Sequence, residues 1–145
     1  MIFEGVNDIG TAAVTQQAQQ AVGDAVIGAF KQFILRAHAA GIPMFAATIT
    51  PFSAPGFNAT IQPYSNAVRE ATRQRVNDFI RNGGWFDGVA DFDAVVRDPA
   101  APSQLKAEFN SGDFLHPSVA GYTAIAQAFP IQMFKAFANG VDGFA

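Results

Sequence analysis

The chain has 145 residues, half of them hydrophobic and 14% charged, with a formal net charge of −3 and no cysteine. That length accommodates one domain with a core, expected over residues 1–145, and is too short for two; the nine Lys and Arg are scattered, which argues against a nucleic-acid partner, and disulfides and thiolate metal sites are excluded. No apolar run approaches the roughly 20 residues of a membrane span, and Glu4 and Gly5 interrupt the apolar start before a targeting peptide can form.

Ile2 and Phe3 read as the stump of a buried strand, running into a turn-like Gly5-Val-Asn-Asp-Ile-Gly10. Val22, Val26, Ala29, Phe30, Phe33, Ile34 and Ala37 fall at helical spacing from about residue 21, and Gly41 ends that helix. Residues 43–49 form a nearly continuous apolar run, as expected of a parallel strand covered on both faces. Residues 50–63 carry three prolines and a glycine, a loop long enough to be a candidate for functional work. A second helix is expected from about Tyr64 through Val68, Ala71, Val76, Phe79 and Ile80, stopped by Asn82-Gly-Gly84, with Arg69, Arg73, Arg75 and Arg81 on its polar face. Residues 86–92 give a third strand, and an irregular stretch with Pro99 and Pro102 leads to Asp113. A last helix over about 118–137 presents Val119, Tyr122, Ile125, Ala126, Phe129 and Met133 inward, with a kink or break at Pro130.

Alternating strands and helices predict an α/β fold, a parallel sheet sandwiched between helices through right-handed crossovers. In such sheets ligands bind beyond the carboxyl ends of the strands. The turn after Phe3, the loop 50–63 and the loop carrying Asp113 and His116 would all emerge on that rim.

The pair Asp113 and His116 has the spacing of a base and its orienting carboxylate. An imidazole with one nitrogen held as N–H by an acceptor has the other free to take a proton. The structural alternative is that Asp113 caps a turn and His116 precedes a helix beginning near Pro117. Asn7 offers an amide that could donate to an oxyanion, or could simply build a turn; Asp8 is assigned to the turn. His38 is read as a surface residue near a helix end. Phe52 and Phe57 are either core or the lining of an acyl pocket. The aspartates have no paired histidines and no EF-hand spacing, so no metal is expected. Asn58-Ala-Thr60 is a glycosylation sequon, which leans towards an extracellular setting while leaving location unknown.

Taken together, Gly5-Val-Asn-Asp-Ile-Gly10 and Asp113-Phe-Leu-His-Pro-Ser-Val-Ala-Gly-Tyr122 resemble two blocks of the SGNH or GDSL-type esterase and lipase family. Thr48-Ile-Thr-Pro-Phe52 and Asp91-Phe-Asp-Ala-Val-Val-Arg-Asp-Pro99 are similar to its connecting segments, so the resemblance covers nearly the whole chain. It implies a flavodoxin-like α/β/α sandwich, with the three strands here resembling the third, fourth and fifth of the family's usual five. It also implies His116 as general base, Asp113 as its partner, Asn7 as an oxyanion-hole donor, and no cofactor. The family's Gly-Asp-Ser block, which supplies the serine nucleophile, has no counterpart here, and none of Ser53, Ser65, Ser103, Ser111 or Ser118 stands in such a context.

The expectation is therefore a carboxylic ester hydrolase acting on a small ester or acylated substrate, its serine supplied by a separate N-terminal segment. The alternative is a non-catalytic remnant that binds a ligand or a protein. A free edge at Ile2 would be covered by a second chain carrying the N-terminal half, or by self-association into a homo-oligomer.

Overall fold

The computed structural model describes residues 1–137. In chain order the regular elements are α1 (Val6–Thr11), α2 (Gln16–Ala39), β1 (Phe45–Ala47), α3 (Ala67–Asn82), β2 (Gly88–Ala90), α4 (Phe92–Val96) and α5 (Val119–Gln127), with 3-10 turns at Pro55–Phe57, Ala107–Phe109 and Ile131–Phe137.

β1 pairs with β2 in parallel, Phe45 opposite Gly88 and Ala47 opposite Ala90. On the other side of β1, Ile2 forms a parallel bridge with Ala46: the Ile2 N–H donates to the Phe45 carbonyl and the Ala47 N–H to the Ile2 carbonyl, both at 2.8 Å. The three strands expected from sequence are thus two strands and a bridge among the described residues. The first stays a bridge because Gly5, at φ 117°, swings the chain into α1. β2 ends at Ala90 because the Asp91 carboxylate turns to cap α4, accepting from the Ala94 N–H at 3.2 Å. Two strands and a bridge carry too little strand order to define a flavodoxin-like sandwich; the architecture here is an α/β layering on a small parallel sheet.

Alternation along β1 divides the core. Ala46 joins Ile9, Val26, Phe30, Ile49, Phe52, Val76 and Ile80, from α1, α2, α3 and the post-β1 segment. Ala47 joins Ala90, Phe92, Val96, Leu105 and Ile125, which bring α4 and α5 against the opposite side.

Helix boundaries follow caps more than apolar periodicity. α2 starts at Gln16, earlier than expected, because Thr15 Oγ1 accepts from the Ala18 N–H at 3.2 Å and the following glutamines are competent helix formers without an apolar face. α3 starts at Ala67 instead of Tyr64, with Asn66 accepting from the Val68 N–H at 2.8 Å. Residues 5–10, expected as a turn, instead lead into and build most of the short helix α1, which buries Ile9 and Gly10. α5 follows the Ser118 cap and stops at Gln127. Pro130, lacking an N–H, separates it from the 3-10 turn at Ile131–Phe137, so the expected helix over 118–137 is broken there. Residues 138–145 of the expected single domain lie outside the described residues.

The arginines of α3 correct the expectation of a polar face. Arg73 is fully buried and donates to Glu70 Oε1 at 2.7 Å, Asp93 Oδ1 at 2.5 Å, the Ile49 carbonyl at 2.8 Å and the Pro102 carbonyl at 3.2 Å. Asp93, also fully buried, meets Arg81 at 2.6 Å and Arg97 at 3.1 Å. Arg69 is buried as well, donating to the carbonyls of Pro63 at 2.9 Å and Ala12 at 2.8 Å. Arg75 remains at the surface, beside Asp24. Asn77 completes this seam: its side chain accepts from the Ile49 N–H at 2.7 Å and donates to the Ile49 carbonyl at 2.9 Å.

Candidate active site

Asn7 stands in the first turn of α1, immediately beyond the Ile2 bridge. Gly5 makes that placement possible, since a Cβ there would lie 2.8 Å from Ile49 Cδ1 in a left-handed backbone that side chains rarely adopt. The Asn7 side chain is exposed, and its Oδ1 accepts from the Tyr64 hydroxyl at 3.2 Å. With its oxygen so engaged, the amide has its NH₂ left to offer. The Tyr64 ring lies against Gly10, where a Cβ would come within 2.2 Å of it.

Asp113 and His116 meet in the loop before α5, His116 Nδ1 lying 2.6 Å from Asp113 Oδ2. The other carboxylate oxygen accepts from the His116 N–H at 2.8 Å, the Leu115 N–H at 2.9 Å and Ser111 Oγ at 2.9 Å. Partial desolvation pushes the Asp113 carboxyl up, and these hydrogen bonds outweigh it, holding the group well below the usual carboxylate range. The loop owes its shape to Asn110, whose Oδ1 accepts from the N–H groups of Gly112 and Phe114 at 3.0 Å each. Phe114 adopts φ 58°, a strained conformation for a bulky residue, between the two members of the pair.

Asn7 and His116 line one cavity of about 160 Å³, together with Phe3, Val6, Thr50, Leu115, Pro117 and Tyr122. The structure therefore brings together the asparagine and the histidine, 109 residues apart in sequence, with Asp113 bonded behind the imidazole. Thr50 and Tyr122 contribute hydroxyl-bearing side chains to this lining; no serine belongs to it. Ser53 is buried, Ser65 accepts from the Ala54 N–H, Ser111 serves Asp113, and Ser118 caps α5.

Other expectations are corrected or refined by position. Phe52 is core, fully buried with its ring edge-on to Tyr64, and neither it nor the exposed Phe57 lines the His116 cavity. His38 is partly buried rather than superficial: its Nε2 lies 2.8 Å from Asp87 Oδ2, which also accepts from the Met44 N–H at 2.6 Å. Asn58 is exposed and its Oδ1 accepts from the Thr60 N–H. Among the described residues no group of three or more His, Asp or Glu side chains is placed to hold a metal ion, and no helix is long and apolar enough to cross a membrane. Tyr64 and Asn110 escaped sequence reasoning. Asn110 carries a local signal, an asparagine two residues before a glycine in a turn, whereas the contact of Tyr64 with Asn7 spans 57 residues and leaves none.

The layered α/β chain gathers an imidazole, a carboxylate and an amide beyond its short strands, the region where such folds bind ligands. This chain belongs to the GDSL-like lipase/acylhydrolase family, whose model matches residues 1–124. The activity class that membership brings is hydrolase. A comparison with curated proteins finds no match.

Proposed function

We propose that the chain is the His–Asp-bearing part of a carboxylic ester hydrolase, with His116 as general base, Asp113 as its orienting partner and Asn7 as an oxyanion donor. The observation that carries this reading is the shared cavity of Asn7 and His116 with Asp113 bonded to Nδ1. In the first half-reaction a serine hydroxyl attacks the ester carbonyl carbon while His116 Nε2 takes its proton. The carbonyl oxygen becomes negative and accepts a hydrogen bond from the Asn7 amide. Collapse expels the alcohol, which receives the proton from His116. Water then repeats the sequence on the acyl-enzyme, releasing the acid and regenerating the serine. Asp113 keeps Nδ1 protonated throughout and stabilises the imidazolium.

The serine is supplied by a separate N-terminal segment, within a flavodoxin-like assembly of more strands. Its natural seat is the outer edge of Ile2. Beside that edge lies a groove of about 290 Å³ lined by Glu4, Gly5, Asp8, Ala25, Val26, Ala29, Phe30 and Phe33, and Phe33 leaves half its surface exposed. A strand added there would pair the open backbone and cover these apolar side chains. Light scattering of the functional protein should give a mass above one chain, or a second polypeptide on a denaturing gel; a lone monomer retaining full activity would overturn this assembly.

The ester-hydrolase reading is tested on the functional protein with a fluorophosphonate probe and a short-chain p-nitrophenyl ester. Labelling and turnover are expected, with His116→Ala lowering kcat by at least about 10⁴. Turnover unaffected by that substitution would remove His116 from the mechanism. A second reading, a binding module without catalysis, is favoured by the absence of serine from the lining of the His116 cavity. It predicts a stable fold that neither reacts with the probe nor turns over the ester.

A further inference from the structure

Two threonines flank Ile49, and the fold uses them in opposite ways. Thr48, fully buried, donates from its hydroxyl to Asp91 Oδ1 at 2.9 Å and accepts there from the Asp93 N–H at 2.9 Å. Thr50 is buried as well, with 8% of its surface exposed, yet among the described residues its hydroxyl meets no hydrogen-bond partner. A hydroxyl withdrawn from water and left unpaired costs stability. Thr50 spends that cost on a wall of the His116 cavity, and it also borders an adjoining recess of about 90 Å³ that shares Phe3 and Val6 with that cavity.

The backbone on either side leaves Thr50 little play. Asn77 holds the Ile49 N–H at 2.7 Å and the Ile49 carbonyl at 2.9 Å, and Arg73 donates to the same carbonyl at 2.8 Å. Pro51, fully buried, follows with its φ fixed by its ring. Thr50 is therefore a donor set in place before any substrate arrives.

We propose that Thr50 is a further oxyanion donor, its hydroxyl joining the Asn7 amide on the carbonyl oxygen that turns negative during attack. The inference rests on the hydrolase reading for the reaction it serves. An oxyanion gains most from donors that are fixed in advance and shielded from water. Asn7 is exposed, whereas Thr50 is buried and held from both sides. The other hydroxyl in the lining belongs to Tyr122, which leaves 53% of its surface to solvent, where water competes for the bond. Thr50 passes no proton and forms no covalent bond; its hydrogen bond strengthens as charge develops.

Thr50→Val and Thr50→Ser, made in the functional protein beside His116→Ala, test this with p-nitrophenyl ester kinetics and urea unfolding. Thr50→Val removes the hydroxyl and keeps the shape, so kcat should fall about 100-fold with KM changed by less than about twofold. Because the hydroxyl has no partner in the fold, the urea midpoint of Thr50→Val should be no lower than that of the unsubstituted protein. Thr50→Ser, which keeps the hydroxyl, should retain most of the turnover. Unchanged kcat in Thr50→Val, a loss of kcat matched by a fall in its urea midpoint, or an equal loss in Thr50→Ser would each overturn the proposal. Turnover abolished in His116→Ala and undiminished in Thr50→Val would sink this inference alone; no turnover in the unsubstituted protein would remove the hydrolase reading and this inference with it.

Discussion

At the scale of single residues, the site is governed by how little freedom the Asn7 amide retains. Its oxygen is held by Tyr64, and the Tyr64 ring is held in turn by the bare face of α1 at Gly10. Tyr64→Phe keeps the ring and removes only the hydroxyl. In the hydrolase reading it should lower kcat by about tenfold with little change in KM, because the amide's aim matters most when charge develops on the oxyanion, and stability should change by less than about 1 kcal/mol. Steady-state kinetics with a p-nitrophenyl ester, alongside urea unfolding, separates the two effects. Asp113 and His116 are legible from sequence because three residues of spacing within one loop suffice to bring them together. Asn7 is legible only as a possibility, since a Gly-x-Asn-Asp turn looks the same whether or not a tyrosine 57 positions away completes it.

At the scale of elements, α3 is anchored by charge where its pattern suggests a solvated face. Arg73 meets two carboxylates and two backbone carbonyls without any exposure. Replacing it with Met should cost about 3–5 kcal/mol in urea unfolding, because Asp93 and the Ile49 and Pro102 carbonyls lose a buried donor. The same seam explains what the sequence hides. Periodicity exposes the long helices α2 and α3, and the proline break after α5, because these depend on local side-chain spacing and on a missing N–H. It cannot show that Arg73 points inward, since its partner Asp93 arrives 20 residues later on another element. Strand lengths are hidden for a related reason: Asn77 captures the Ile49 N–H and carbonyl that a longer β1 would have used, and Asp91 ends β2 by capping α4. α1 is too short for any period to register.

At the scale of the whole molecule, acid should loosen the rim and the seam together. Asp91 is partly desolvated, which raises its carboxyl, but bonds from Arg81 and Thr48 outweigh that and lower it; Asp113 is lowered as described. A carboxyl depressed in the folded state stabilises it fully above the ordinary unfolded value of about 4, and that contribution fades as pH falls below it. The melting temperature should therefore decline below about pH 4; a melting temperature that rises on acidification through that range would contradict the assignment. The bracket that Asn77 places around Ile49 has a mechanical corollary. A residue whose N–H and carbonyl are both grasped by one helix is fastened to that helix, not to the sheet, and the next residue along, Thr50, is a wall of the His116 cavity. Any tilt of α3, even one that leaves the ladder between β1 and β2 untouched, would carry that wall with it and change the cavity's width.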